Sequence, residues 1–155
     1  MSFDIQITNK EGQFALGKHD IVLDSIGRTV LLSGRDKLIQ DVQKILFTNV
    51  NKFYNDYGTK LDEIIGTNLG KDQTINVLAQ KITDSLIYLQ FLQEQQSKYQ
   101  QVQSSEIIKQ IVEINVNFVY ELTGNDNDAR TFAINIVLLT EDNQVISVNR
   151  DIEIV

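Results

Sequence analysis

Cysteine is absent from this 155-residue chain. That excludes disulfides, a thiolate nucleophile and thiolate metal ligands. Proline is absent as well, and glycine occurs only eight times. No proline-rich linker divides the chain, and its turns must be built from Gly, Asn and Asp. Histidine occurs once, as His19; Asp20 and Asp24 lie near it, but one imidazole and two acids do not make a metal site without further ligands. A Ser-His-Asp arrangement built around that one histidine is equally unsupported. Basic residues are outnumbered, 14 to 21, for a net charge of −7. Nucleic acid and anionic membrane both require a basic face, and no short stretch supplies one. Long apolar runs are missing too: Phe132–Leu139 is interrupted by Asn135 and is too short to cross a bilayer. The stretch from Met1 to Lys10 contains Asp4 and no apolar run of signal-peptide type, so the expected site of synthesis is a cytosol.

What is present is enough for one folded unit. Apolar residues make up 42% and the charges are interspersed, which suits a single domain over residues 1–155 with a sizeable core. No internal repeat is visible. Phe3, Ile5 and Ile7 alternate with polar residues, the period of a half-buried strand, and Asn9–Gly12 reads as a turn. Ile21–Asp24 and Thr29–Leu32 flank Ser25–Arg28, a hairpin turn with Gly27 at a positive φ. Ser33 then stands as a helix cap, with Asp36 at capping-box spacing. Leu38, Ile39, Val42, Ile45 and Leu46 recur at helical spacing behind it.

After the aromatics Phe47, Phe53, Tyr54 and Tyr57, Gly58 breaks the pattern and Thr59 caps a short helix that Gly66 ends. A long helix is predicted from about Asp72 to about Gln101. Its core stripe is Ile75, Leu78, Ala79, Ile82, Leu86 and Leu89, its apolar face is widened by Ile87, Phe91 and Leu92, and its end is a solvated, Gln-rich tract. From Ile107 the period becomes two, giving three strands separated by Thr123–Asp128 and Glu141–Gln144. The expected fold class is α+β: central helices, one long, packed on an antiparallel sheet with a C-terminal three-stranded meander.

Three segments imitate chemistry without completing it. Gly66–Asp72 resembles a phosphate loop, but three residues separate its glycines where four are needed, and Asp72 replaces the Mg²⁺-binding hydroxyl. Asn125–Asp128 resembles the start of a Ca²⁺ loop, yet counting from Asp126 the fifth, sixth and twelfth positions hold Arg130, Thr131 and Val137. Asx residues favour turns for their own local hydrogen bonds, which accounts for the run. Asp56, Asp62 and Glu63 flank the aromatic turn, but nothing in their spacing sets two carboxylates across a cleft as a lysozyme-like hydrolase requires. No catalytic residue, cofactor site or metal site is assigned, and the expectation is a protein that is not an enzyme.

The ordered features of residues 20–66 carry a resemblance. They run from a short hairpin to Ser33-Gly34, a helix with Gln40 near its middle, Leu46-Phe47-Thr48, and Tyr57-Gly58-Thr59 before a short helix. This succession resembles the baseplate-wedge family typified by the phage T4 gene 25 product, the sheath initiators of contractile tails. The resemblance implies a structural baseplate component of a contractile phage tail or related injection machine. Such a component templates the first sheath ring, meets the tail sheath protein, wedge proteins and the tail tube, and is present in six copies or a multiple. It is made and assembled in the host cytoplasm and ends in the virion.

The family also includes a small regulatory protein-binding module, the alternative reading, and a lysozyme label has travelled with it. The family's Glu-Pro-Arg ahead of the meander has no full counterpart here; in Ser105-Glu106-Ile107 only Glu106 corresponds. The turn after Thr48 likewise lacks the family's Pro and Gly. Gln40, Tyr57, Gly58, Thr59 and Glu106 are thus the expected structural motif residues. The last strand, Val145–Val155, is expected at or near a sheet edge, where sheath strands could add through main-chain hydrogen bonds. Val145, Ile146, Val148, Arg150, Ile152 and Ile154 are the expected partner-binding residues.

Overall fold

Apolar side chains recurring at every second position make the C-terminal third of the chain a sheet. The computed structural model describes residues 4–8, 20–21, 23–48, 50, 57–64, 67–122 and 129–154. His19, Phe53, Tyr54, Asp56 and the Asn125–Asp128 run lie outside them. Strands β1 (Asp4–Ile5), β2 (Ile7–Thr8), β3 (Asp20–Ile21) and β4 (Leu31–Leu32) precede helix α1 (Gly34–Leu46). A 3-10 turn at Leu61–Ile64 leads to helix α2 (Lys71–Ser97), and a second at Ser104–Glu106 leads to the strands. These are β5 (Ile108–Leu122), β6 (Ala129–Thr140) and β7 (Val145–Ile154), an antiparallel meander in the order β5-β6-β7. The fold is α+β, as the change of period predicts.

Alternate residues of the three strands, among them Val116, Phe132, Ile134, Ile136, Leu138, Ile146 and Val148, point to one buried face. Both helices cover that face, α2 against β5 and α1 against β7, and they also touch each other. From α1 the core receives Leu38, Val42, Ile45 and Leu46; from α2 it receives Leu78, Ile82, Leu86 and Leu89. Ile75 and Ala79 of the predicted stripe are only partly buried against it.

Four expectations change. Ser33 occupies the N-cap position of α1 with extended backbone, but its side chain makes no capping hydrogen bond. The first helical amide, of Gly34, donates to the Glu106 carboxylate instead (2.9 Å). The Ser25–Arg28 turn forms as expected, with Gly27 at φ +81° and the Asp24 carboxylate accepting from the Ile26 and Arg28 amides. Among the described residues its arms share a single bridge, Leu23 with Thr29, and then pair with the N-terminal segment, β4 with β1 and β3 with β2.

Ile87 and Phe91 do not widen the core face of α2; they are 54% and 50% exposed, and the Phe91 ring stacks on Tyr88. The glutamine tract is not wholly solvated, because Gln93 is buried and bridges two backbone groups, accepting from the Ile108 amide (3.0 Å) and donating to the Glu106 carbonyl (2.7 Å).

A candidate docking edge and its braces

The two pairings of the meander differ in regularity. Between β5 and β6 the register shifts at three places, Ile108/Gln110, Ile111/Glu113 and Phe118/Tyr120. Between β6 and β7 it runs without a break from Arg130↔Ile154 to Leu139↔Val145. Bulges twist and blunt a strand edge. The β5 side is therefore irregular and the β7 side regular. Among the described residues β7 pairs with β6 alone.

The turn at the end of this ladder determines which groups face outward. The Thr140 amide donates to the Gln144 carbonyl (3.0 Å), which marks Thr140 and Gln144 as a hydrogen-bonded pair. Antiparallel pairs alternate between bonded and non-bonded. Ile146, Val148, Arg150, Ile152 and Ile154 consequently direct their main-chain groups at β6. Val145, Ser147, Asn149, Asp151 and Glu153 direct theirs at the open edge, and the side chains of all five are exposed.

The expected partner-binding residues divide accordingly. Ile146, Val148 and Ile152 are buried on the helix-covered face. Arg150 lies on that face too, its guanidinium 2.6 and 3.1 Å from the Gln43 side-chain amide once that amide presents its oxygen. The Ile154 side chain lies outside the described residues. Val145 alone combines an exposed side chain with outward main-chain groups. Ser147 and Asn149 carry no such mark in the sequence, because apolar character there marks the core side of a strand and not its open edge, whereas the charges of Asp151 and Glu153 fit edge protection and register with a partner. The usable signal was the turn, whose first pair determines which parity faces out.

Helix α1 supports β7 from below and is fastened at three levels by the motif residues. At its N-terminus Glu106, 1% exposed, accepts from Gly34 through Oε1, while Oε2 has no hydrogen-bond partner. Gly34 sits at φ +60°, and a Cβ there would meet Ser105 Oγ at 3.2 Å, so glycine is required both by conformation and by close approach. At mid-helix Gln40 Nε2 donates to Asp4 Oδ2 (2.8 Å) and to the Ile5 carbonyl (2.9 Å), tying β1 to the helix. At the C-terminus the Thr59 hydroxyl donates to the Leu46 carbonyl (2.8 Å) instead of capping the helix after it. The Thr59 amide adds a bond to the Thr48 carbonyl (2.7 Å). Gly58, at φ +116°, presents its carbonyl to Ser85 of α2 (3.3 Å), and Tyr57 packs against the core.

A compact charge network reinforces the middle level. Lys44 pairs with Asp4, and Lys37, only 7% exposed, pairs with Asp41 at 2.6 Å. Burial works against ionisation of Asp4, but the bond and charge of Lys44, with Gln40 and the Ile5 amide, outweigh it and hold its pKa below the ordinary value. At Asp41 the balance reverses: burial dominates over the attraction of Lys37 and Lys44, and the pKa is raised.

Beside α2 a shallow cleft of about 280 Å³ is lined by Val50, Gly58, Lys60, Lys81, Asp84, Ser85 and Tyr88. Asp84 is the one carboxylate in that lining. Glu63 is engaged by Lys81 at 2.7 Å. Among the described residues no group of three or more His, Asp or Glu gathers as metal ligands, and no helix is long and apolar enough to cross a membrane. Comparison with protein-family models, curated proteins and solved structures finds no match to this chain.

Proposed function

We propose that this protein is a structural baseplate component of a contractile phage tail or related injection machine, and that it templates the first sheath ring by accepting strands on its C-terminal sheet. The observation that carries the reading is the regular β7 edge, which offers five alternate outward positions with donors intact. Main-chain hydrogen bonds to an added strand need such an edge, and alternate side chains then confer specificity. A monomer leaving this edge uncovered would risk aggregation, so its regularity makes more sense as a site that an assembly fills.

The resemblance of residues 20–66 supports the same reading. Gln40, Thr59 and Glu106 each fasten α1, and α1 is the support beneath β7. The motif residues therefore act as scaffolding for the edge and carry no chemistry of their own. The cleft beside α2 offers Asp84 between two lysines, which is not the carboxylate pair of a glycoside hydrolase.

Removing residues 145–155 tests the reading. Truncated protein should still be taken into baseplates through its wedge contacts but should support no sheath assembly on them. Normal sheath on such particles would overturn the proposal. Circular dichroism of the truncated protein separates loss of the edge from loss of the fold. The sheath and tube partners, the sixfold copy number and the virion location belong to the same proposal, and co-purification with tail structures checks them together.

A further inference from the structure

The reading of β7 as a strand acceptor leaves open what the incoming strand looks like. Two rows of side chains on the exposed face of the sheet answer that. In the first row Asn115 stands opposite Asn135, and Asn135 opposite Asn149. The Asn135 amide nitrogen donates to Asn149 Oδ1 and to Ser147 Oγ. The row thus ends at the open edge on Asn149, whose Oδ1 is already used and whose Nδ2 remains to donate to a next strand.

In the second row, Asp151 and Glu153 stand opposite Ala133 and Thr131, neither of which is charged. Both acids are exposed, and no basic side chain among the described residues pairs with either. The nearest cation along the strand, Arg150, is on the other face and is held by Gln43. On the helix-covered side, Ile39 and Phe47 lie one turn either way from Gln43 on the same flank of α1, and both are only partly buried.

Resting on the strand-acceptor reading, we propose that the strand added at β7 is basic on its outer face beside Asp151 and Glu153, carries an amide beside Asn149, and turns apolar side chains inward toward Ile39 and Phe47. Opposite charges facing each other across neighbouring strands stabilise the pair, while like charges there destabilise it. An acidic chain with an uncompensated acidic edge selects its partner by this sign. A second copy of β7 would bring two more acids and no free base to the same edge.

Two short capped peptides test this. Both alternate valine with polar residues and carry asparagine centrally; one has lysines, the other glutamates, at the outward positions of one end. The lysine peptide should shift the amide resonances of Val145, Ser147, Asn149, Asp151 and Glu153. It should bind about fivefold or more tightly than its glutamate twin, with the preference shrinking in high salt. In the Asp151→Lys, Glu153→Lys double variant the preference should invert, which a folding defect could not mimic.

Equal binding of both peptides would overturn the charge assignment while leaving strand addition standing. If neither peptide moved the β7 amides, the proposed partner strand would be wrong, and the particle experiment on the truncated protein would still judge the functional reading separately. Concentration-dependent shifts of those amides without peptide would overturn the proposal in favour of a second copy.

Discussion

Glu106 shows how much one side chain can carry. It replaces the Ser33 cap by reaching α1 from 72 positions further along the chain, and its own carbonyl receives Gln93. Truncation to alanine leaves the Gly34 amide buried without an acceptor, which costs about 1–3 kcal/mol. Glu106→Ala should therefore unfold at distinctly lower denaturant than the parent in urea titrations. Glu106→Gln keeps the Oε1 acceptor and should lose less. Equal loss in the two variants would mean that the charge, and not the hydrogen bond, matters at the helix terminus.

Asp4 makes a second residue-level case. Its folded pKa is depressed, so the stability it adds is present above the unfolded value and disappears as pH falls through the folded one. Asp41, with a raised folded pKa, acts in the opposite sense and gains stability as pH falls through its own folded value. Asp4→Asn should be less stable than the parent at neutral pH, with the gap closing once Asp4 is protonated. Urea unfolding across an acid pH series measures that gap. A gap that stayed constant with pH would show that Lys44 does not favour the ionised form.

At the scale of elements, β7 invites a sharper perturbation than deletion. Asn149 directs its amide at the open edge, whereas Val148 directs its amide at β6. Proline has no amide and is tolerated in a sheet only where that amide is unused. Asn149→Pro should fold, with a far-ultraviolet spectrum like the parent's, yet fail to initiate sheath. Val148→Pro should unfold or lose much of its stability. If both variants assembled sheath, strand addition at this edge would be excluded.

The elements themselves were largely legible from periodicity. The stripe Leu38, Val42, Ile45 predicts α1, and alternation from Ile107 onward predicts the meander, because each pattern directly records which side is buried. What periodicity does not record is a hydrogen bond between distant positions. Gln93 looks like its solvated neighbours, and only the arrival of Ile108 beside it explains its burial. Ile87 and Phe91 mislead for the opposite reason, since apolar side chains at helical spacing can also lie outside. The edge positions Ser147 and Asn149 were hidden because main-chain direction, not hydrophobicity, distinguishes them.

At the scale of the whole molecule, two helices of unequal length lie on one face of a sheet whose other face mixes Asn135, Ser147, Asn149, Asp151 and Glu153 with Val137, Leu139 and Val145. Each border strand carries a helix on its covered face, α2 on β5 and α1 on β7; what differs is the register, broken along β5 and continuous along β7. Strand addition at β7, as proposed, would lengthen the sheet without disturbing the core, because Ile146, Val148 and Ile152 are already covered. The free energy of such uptake would come from new main-chain bonds and edge side chains.

Under the proposed function the unequal borders would also govern stoichiometry. A sheet open on both sides is a link in an endless ribbon: whatever joins one side can be joined again on the other. On the strand-acceptor proposal, register breaks along β5 and none along β7 would give extension a single direction and make the molecule an end piece. Each copy would then start one lateral row and could not lie in the middle of one, so the number of rows would equal the number of copies held in place. On that proposal, counting is set before any second component arrives.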